Sequence, residues 1–475
     1  MPSSPPERSE GIDGSLQFVL GASFFPMNNR DHITTGPITR TIFSLALPVV
    51  LGNLMEFALS STDYFWVGKL GATAQDAVTS SMVVVWTIFA AMSIITVGVT
   101  ALVSRHIGAG EIDSVTHYVR QGVLFALGVG ILFSTLGFRL TPALLSFMDT
   151  GEATLVHAIP YLRIFFIGAV FFFMAEVGYA TFRASGDTRT PMKVGVGVVL
   201  FNMAFDPLLI FGWGPIPAFG VTGASIATTV SVAGGAIVIH TLMLRGKLGY
   251  ELGRLLEELP NARSMLKIAR IGLPIAGQTF VFVSVYWFLI KIVHSYGESA
   301  AAAMGIGNRM ESFSFLTCFG FSMAASTMVG QNLGAKLPER AAKCAWGSVG
   351  SAIVITFAIS VLFIAAPESI ASVFSDDPDV LAIATDYLII LGLSQMAMAI
   401  EIVLEGAFSG AGDTIPPMAV SIPGSALRIP LAYYFCFELE WGVNGVWWTL
   451  TITTLIKAAI LATWFLRGRW KLKAI

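Results

Sequence analysis

The sequence predicts an all-α polytopic membrane protein with twelve transmembrane helices in two pseudo-symmetric six-helix lobes. Three observations predict this: an apolar composition, a fixed internal repeat and twelve apolar stretches of membrane-spanning length. Of the 475 residues, 55% are hydrophobic and only 12% are charged, whereas soluble domains carry about 25% charged residues. The net charge of −2 argues against a nucleic-acid partner, because nucleic-acid-binding proteins carry clustered excess positive charge.

Short motifs recur along the chain with a constant offset of 226 residues. The paired motifs are Leu47-Pro48 with Leu273-Pro274, Gly71 with Gly297, Gly108-Ala109 with Gly334-Ala335, and Gly186-Asp187-Thr188 with Gly412-Asp413-Thr414. A constant offset requires two halves built from the same helices with loops of nearly equal length. Internal repeats of this kind are typical of secondary transporters.

Twelve apolar stretches are long enough to cross a hydrocarbon core of ~30 Å. We place spans 1 to 12 at 40–66, 79–103, 117–138, 155–182, 190–212, 220–244, 267–293, 302–330, 344–366, 380–408, 416–437 and 442–466. Since each half has an even number of spans, both halves enter the membrane from the same side and the repeat axis follows the membrane normal.

The charges of the loops predict the orientation. One side, here called the basic face, carries 17 Lys and Arg, whereas the other carries Lys69 and Arg139. The basic face comprises segments 104–116, 183–193, 245–270, 331–343, 409–415 and the residues after 466. Because Lys and Arg are retained in the cytoplasm, we expect both termini to be cytoplasmic.

The predicted domains follow from the spans and the loops. They are a poorly ordered cytoplasmic tail at 1–37, an N-terminal lobe at 38–245, a cytoplasmic linker at 246–265, a C-terminal lobe at 266–467 and a cytoplasmic tail at 468–475. No cleavable signal peptide is evident at the start of the chain. Cys318, Cys344 and Cys436 are isolated, so we expect buried thiols and neither a disulfide framework nor a zinc site. Trp66, Trp441, Trp447 and Trp448 lie at outer ends of spans, where interfacial anchors are expected.

Ionisable side chains within spans are costly in hydrocarbon and each requires an explanation. Asp63 lies near the outer end of span 1 and Asp206 in the outer part of span 5, and Thr228 in span 6 lies at a similar depth. Asn202 is four residues before Asp206 and therefore shares its helix face. Pro207 follows and frees a backbone carbonyl.

Two carboxylates, an amide and a hydroxyl at one level suit a hard cation, such as Na+, or a shared proton. Two simpler readings remain: Asp206 is an interhelical hydrogen-bond partner, and Asp63 is a solvated helix end. The second half has Leu289, Ala432 and Arg428 opposite Asp63, Asp206 and Asn202. This difference indicates a role specific to the first half, or divergence by drift.

Other polar residues within the spans are candidates for a substrate cleft. They are Glu56, Glu176, Gln278, Tyr286, Arg309, Glu311, Glu401, Glu405 and Arg428. Four of them, Arg309 and Glu311 in span 8 and Glu401 and Glu405 in span 10, are expected to line a pocket of the second lobe or to pair with Arg428 or Lys291. The two Gly-Asp-Thr loops precede spans 5 and 11, where capping of the next helix explains them.

The chain resembles the multidrug and toxic compound extrusion (MATE) transporters of the prokaryotic type over nearly all of its length after the first tail. The resemblance depends on several motifs taken together in order and spacing. They are Ser61 to Gly68, the paired segments 103–110 and 329–336, the paired Gly-Asp-Thr loops, Asn202 with Asp206-Pro207, and Gly223 to Thr228.

The resemblance implies two lobes around a central cleft and a transporter rather than an enzyme. We expect a monomer in the inner membrane of a prokaryote. It implies export of cationic amphiphilic compounds in exchange for H+ or Na+, with no cofactor and with membrane lipid as the surrounding partner. By resemblance the cation-coupling residues are Asp63, Asn202, Asp206 and Thr228. Another branch of the family has an acid in span 7 where this chain has Phe282, which favours coupling through the first lobe.

Two alternatives differ in chemistry. A lipid-linked saccharide flippase of the same superfamily requires an Arg- or Lys-lined cavity for pyrophosphate, and few cations lie within the spans. An intramembrane enzyme requires a nucleophile or metal motif at depth, and the sequence shows none.

Overall fold

The computed structural model describes residues 33–147, 151–253 and 257–475. The first half contributes six long helices, each matching one predicted span. These are α1 (Ile38–Gly68), α2 (Ala72–Ala109), α3 (Ile112–Phe147), α4 (Glu152–Ala184), α5 (Arg189–Phe211) and α6 (Val221–Leu244).

In the second half, the helices are interrupted more often than in the first half. It consists of α7 (Ala262–His294), α8 (Glu298–Gly334), α9 (Pro338–Ala365), α10 (Pro367–Ala371), α11 (Pro378–Gly392), α12 (Gln395–Gly410), α13 (Ile415–Ala426), α14 (Arg428–Tyr433), a π-helical turn (Tyr434–Glu438), α15 (Asn444–Leu466) and a final 3₁₀ turn (Arg469–Leu472).

Ten of the described helices are long and apolar enough to cross a membrane, and the pair α11 and α12, bent by 54°, is an eleventh candidate. The predicted span 11 comprises α13, α14 and the π-helical turn, none of which is long enough alone. Pro423 lies inside α13, and proline removes a helix hydrogen bond and crowds the preceding turn. The described residues therefore confirm an all-α polytopic fold.

Each half packs as a lobe. In the first lobe α4 packs against α2, α3 and α6. In the same lobe α5 packs against α1 and α6. The centre of the second lobe is formed by α8, α9, α12 and α15. Across the lobes, α1 contacts α8 and α2 contacts α7. The repeat is visible in the backbone, because Gly71 and its twin Gly297 precede α2 and α8 with φ of 109° and 99°, a region that only glycine adopts easily.

The two lobes touch where their repeat motifs meet. A Cβ atom on Gly108 would overlap the Gln331 carbonyl, and one on Gly334 would overlap the Arg105 carbonyl, so only glycine permits this crossing of α2 and α8. Gln331 Nε2 donates to the Ala184 carbonyl at 2.8 Å. The lobes are therefore closed together at the basic face.

The segment between the lobes is held by α3. Arg120 donates to Glu258 at 2.9 Å and to the Leu252 carbonyl through Nε at 3.0 Å, while His117 lies 2.6 Å from Glu258. Partial burial alone would raise the pKa of Glu258, but hydrogen bonds from Arg120, His117 and Gln121 outweigh it, and the pKa of this carboxyl lies below its usual range.

The ends of the chain also pack on the basic face. Most of the first predicted tail, 1–32, lies outside the described residues, but Ile33 is buried and its carbonyl accepts a hydrogen bond from Asn332 at 3.3 Å. At the other end Trp470 is buried and Lys473 forms an ion pair with Asp413 at 3.2 Å. Arg105 donates to the Lys473 carbonyl at 2.8 Å, so the last residues bridge the lobes.

Two further expectations concern buried side chains. All three cysteines are buried and free, as expected. The expectation that Trp447 is an interfacial anchor is wrong: its side chain is fully buried and stacks on Tyr387 at 3.9 Å, because α15 packs against α11 at this level.

Candidate functional site

The structure brings together the four residues expected to bind the coupling cation, here called the first-lobe cluster: Asp63, Asn202, Asp206 and Thr228. Asp63 comes from α1, Asn202 and Asp206 from α5, and Thr228 from α6. Asn202 and Asp206 are fully buried and Asp63 is half-buried. The spacing of four residues places the Asn202 amide and the Asp206 carboxyl on one face of α5, which turns inward.

The Asn202 amide links the carboxyls to Thr228. One end of the amide lies 3.2 Å from Asp63 Oδ1 and 3.1 Å from Asp206 Oδ2, and the other lies 3.0 Å from the Thr228 N and 3.1 Å from Thr228 Oγ1. With Nδ2 towards the carboxyls, every contact pairs a donor with an acceptor. With Oδ1 towards them, three side-chain oxygens face one another, which is the ligand set a hard cation requires. The orientation of an amide is assigned from its partners, so the same four residues suit a proton or Na+.

The two carboxyls of the cluster also lie within hydrogen-bonding reach of each other. A hydrogen bond between two carboxyls requires a proton on one of them. Apart from the neighbouring carboxyl, no donor among the described residues reaches Asp206 Oδ1, although that atom is buried, and a buried charge without a partner is costly. A proton or a cation at this oxygen would supply the partner that it lacks.

Two neighbours shape the cluster. Pro207 lies within α5 and cannot donate to the carbonyl of Met203, one turn earlier. Tyr161 of α4 is buried within electrostatic range of both carboxyls. Sequence reasoning missed Tyr161, because nothing in its neighbourhood in the chain distinguishes it from other apolar residues of span 4.

A second acidic group lies in the first lobe, nearer the basic face. Glu176 forms an ion pair with Arg183 at 3.3 Å within α4. Glu56 of α1 is exposed and within electrostatic range of both. These two substrate-cleft candidates are thus neighbours, and Glu56 is the more exposed residue of the two.

In the second lobe the candidate acids are engaged with other side chains. Glu405 accepts hydrogen bonds from Gln278 at 2.6 Å and Ser421 at 2.7 Å. Glu401 forms an ion pair with Lys457 at 2.6 Å, and both side chains are nearly buried. The partner of Glu401 is therefore Lys457, neither Arg428 nor Lys291. Here these five residues are called the second-lobe network.

The remaining candidates lie beside this network. Arg428 is buried and donates to Thr453 Oγ1 at 2.9 Å and Thr454 Oγ1 at 3.1 Å, and Glu311 lies within its electrostatic range. A guanidinium thus contacts the hydroxyl equivalent to that of Thr228, where the first lobe has an amide.

Two candidates of the second lobe differ in their surroundings. Tyr286 donates to Asn308 Oδ1 at 3.1 Å, as does Tyr387 at 3.2 Å. Arg309 is exposed on α8.

The twin Gly-Asp-Thr loops have different partners. Asp187 Oδ1 accepts from the Arg189 and Thr190 backbone N–H groups at 3.0 Å, so it caps α5 as predicted. Its twin Asp413 pairs with Lys473. Asp187 therefore positions the end of α5 that is opposite the first-lobe cluster. Asp413 instead holds the last residues of the chain.

Comparison with known proteins identifies the family. The family model MatE matches twice, at residues 48–208 and 274–434, so the two matches repeat the offset of the sequence motifs. A probable multidrug resistance protein NorM from Thermotoga maritima is 27% identical over 441 residues, covering 92% of this chain and 94% of its own length. An FAD transporter from Shewanella oneidensis is 26% identical over 450 residues, covering 93% and 97%.

A solved structure shows the same fold. The outward-facing conformation of a multidrug resistance MATE family transporter of the MOP superfamily matches with a TM-score of 0.87 at 21% identity, covering 95% of this chain and all of that chain. With the two family matches spanning most of the chain, the protein belongs to the MatE family of multi-pass membrane transporters, and it is a transporter, not an enzyme.

Proposed function

We propose that this protein exports cationic amphiphilic compounds from a prokaryotic cell in exchange for H+ or Na+, which binds at the first-lobe cluster. One observation carries the proposal: Asp63 and Asp206 meet at a buried amide, and no cation side chain pairs with either among the described residues. Relatives named as multidrug resistance proteins support the substrate class.

The cluster would couple ion and substrate through charge. With the ion absent, the two carboxyls leave negative charge in the first lobe, which favours a cationic substrate in the adjoining cleft. An external H+ or Na+ neutralises that charge and lets α1 move against α5 and α6, so the substrate is released. Because linkage is reciprocal, a coupling free energy of ~1 to 3 kcal/mol is sufficient for a strong bias.

Among the substrate-cleft candidates, Glu56 best suits a cationic compound, because it is an acidic residue of the first lobe that is partly open to solvent. The acids of the second-lobe network lie against Lys457 or accept two hydrogen bonds, which suits a structural role. The same pairing disfavours a saccharide flippase, since the buried cations Arg428 and Lys457 have acidic neighbours and form no open cradle for pyrophosphate.

The proposal includes the orientation of the protein in the membrane and the two units that move during transport. The basic face is cytoplasmic, and so are both termini. Residues 38–245 and 266–467 are the two lobes that move, with 246–265 as the linker between them. One copy of the chain forms the transporter in the inner membrane.

The test is transport by purified protein in proteoliposomes, with ethidium and norfloxacin as substrates. A Na+ gradient and a proton gradient are imposed separately, which assigns the ion. We expect Asp206→Asn to bind ethidium but to lose gradient-driven export. Asp386→Asn is the matched control, because Asp386 is an exposed acid whose neighbour is Asn444, and it should export normally. Export by Asp206→Asn at the wild-type rate would remove the cluster from the mechanism.

A further inference from the structure

A cationic cavity opens on the basic face of the first lobe. Its volume is about 390 Å³ and it lies between the start of α1, the turn before α5 and the residues after α6. Four cations from these three elements line it: Arg40, Arg189, Lys193 and Lys247. The acid at its wall, Asp187, directs its oxygens to the backbone and hydroxyl of Thr190, so its charge is engaged in capping α5.

An apolar groove of about 490 Å³ continues from this cavity and shares Arg40, Arg189 and Lys193 with it. The groove follows α1 and α5 away from the basic face and is lined by Phe43, Leu47, Pro48, Leu51 and Met192. Leu47 and Leu51 are 46% and 54% exposed. From Arg40 to Leu51 a helix rises ~16 Å, which is about half of the hydrocarbon thickness.

We propose that cavity and groove together bind an anionic phospholipid of the cytoplasmic leaflet. The charges are complementary, because the phosphate enters a cavity that is lined by four cations and by one acid already engaged in capping α5. The acyl chains lie in the groove beside the exposed leucines. Basic pockets between helices at the cytoplasmic surface are suited to anionic headgroups. This inference rests on the orientation proposed above, which places the basic face in the cytoplasm.

A lipid at this site would affect transport through α1 and α5. α1 and α5 begin at the lipid site and carry Asp63 and Asp206 near their opposite ends. A lipid seated between the starts of α1 and α5 would hold the inner ends of these helices together, so that a change at the first-lobe cluster displaces their outer ends.

Binding to the full-length protein in neutral detergent tests the proposal, and it requires neither transport nor a known orientation. Titration with dioleoylphosphatidylglycerol, followed by native mass spectrometry, gives the affinity of the wild type and of the double variant Lys193→Gln with Lys247→Gln. Each cation near an anionic headgroup contributes to affinity, and we expect binding to be roughly ten- to thirtyfold weaker in the variant. Dioleoylphosphatidylcholine should bind the wild type more weakly than the anionic lipid.

The matched control is Arg263→Gln with Lys343→Gln, which removes the same charge from exposed positions of the basic face outside both cavities. It should bind the anionic lipid as the wild type does. Equal weakening in the control would show diffuse attraction to the basic face, and equal affinity for both lipids would show that headgroup charge is irrelevant. Displacement of the lipid by equimolar, chain-free glycerophosphoglycerol would indicate a site for a free anion. Each of these three results would overturn the proposal.

Discussion

At the residue scale, the two lobes treat buried acids differently. In the first lobe, Asp63 and Asp206 share a polar neighbour, Asn202, so the pair can accept a positive charge from outside. In the second lobe, Glu401 already pairs with the positive charge of Lys457. An acid that is neutralised within the protein gains little from H+ or Na+, which is the physical reason to place coupling in the first lobe.

The ion pair of Glu401 and Lys457 supplies a stability prediction. Lys457→Met leaves a nearly buried carboxylate without a partner, and we expect it to lower the free energy of unfolding by about 3 to 5 kcal/mol. The double variant Glu401→Gln with Lys457→Met removes both charges and should lose much less. Chemical unfolding in detergent measures both differences. Equal destabilisation by the single and double variants would show that packing, and not charge, dominates at this position.

The residues of the first-lobe cluster could be predicted from the sequence because depth and helix face follow from residue spacing. Asn202 and Asp206 are four apart, and Asp63 and Thr228 lie at matching depths in spans 1 and 6. The partner of Glu401 could not be predicted, since pairing between spans 10 and 12 depends on how each helix is rotated in the lobe. In the first lobe, the rotation of α4 likewise buries Tyr161 beside the cluster.

At the element scale, the crossing of α2 and α8 determines how closely the lobes approach at the basic face. Gly108 and Gly334 are twins in the repeat, and each lies against a backbone carbonyl of the opposite lobe. The repeat therefore has a structural role at this crossing, because each copy of the motif supplies one of the two glycines that the contact between the lobes requires. The contact therefore holds α2 and α8 together at the basic face.

A methyl group at this crossing should open it. We expect Gly334→Ala to increase the distance between spin labels at Glu111 and Glu339, on the two sides of the basic face, and to slow export. Gly350→Ala is the matched control, since a Cβ there meets nothing within 4 Å. Double electron–electron resonance measures the distance. An unchanged distance in Gly334→Ala would show that the contact does not hold the lobes closed.

Element boundaries were predictable where the helices are continuous and less so where they break. Spans 1 to 9 each correspond to one helix, whereas spans 10 and 11 divide into α11 with α12 and α13 with α14. Proline marks span 11 in the sequence, but the 54° bend of span 10 has no proline at its break between Gly392 and Gln395. The position of Trp447 in the sequence predicts an interfacial side chain, and only the packing of α15 shows that it is buried.

At the scale of the whole molecule, the repeat and the charge asymmetry together determine the architecture. Two copies offset by 226 residues explain both family matches. The basic loops, the described part of the interlobe segment and the last residues all gather on one face, which is closed in this structure.

Labelling of single cysteines tests the orientation of that face. In a background lacking Cys318, Cys344 and Cys436, we expect Asp376→Cys to react with a membrane-impermeant maleimide on intact cells. Glu111→Cys should react only after permeabilisation, because the positive-inside rule places it in the cytoplasm. Both positions are exposed, so accessibility within the protein does not limit the reaction. The opposite pattern would invert the orientation.

The most direct measurement is the number of ions released when substrate binds to the purified protein. If the first-lobe cluster binds ion and substrate with opposing preference, the wild type should release about one H+ or Na+ for each ethidium bound, detected by a pH indicator or by ²²Na+. Asp206→Asn should bind ethidium and release none. The same release from wild type and Asp206→Asn would contradict coupling at Asp63 and Asp206.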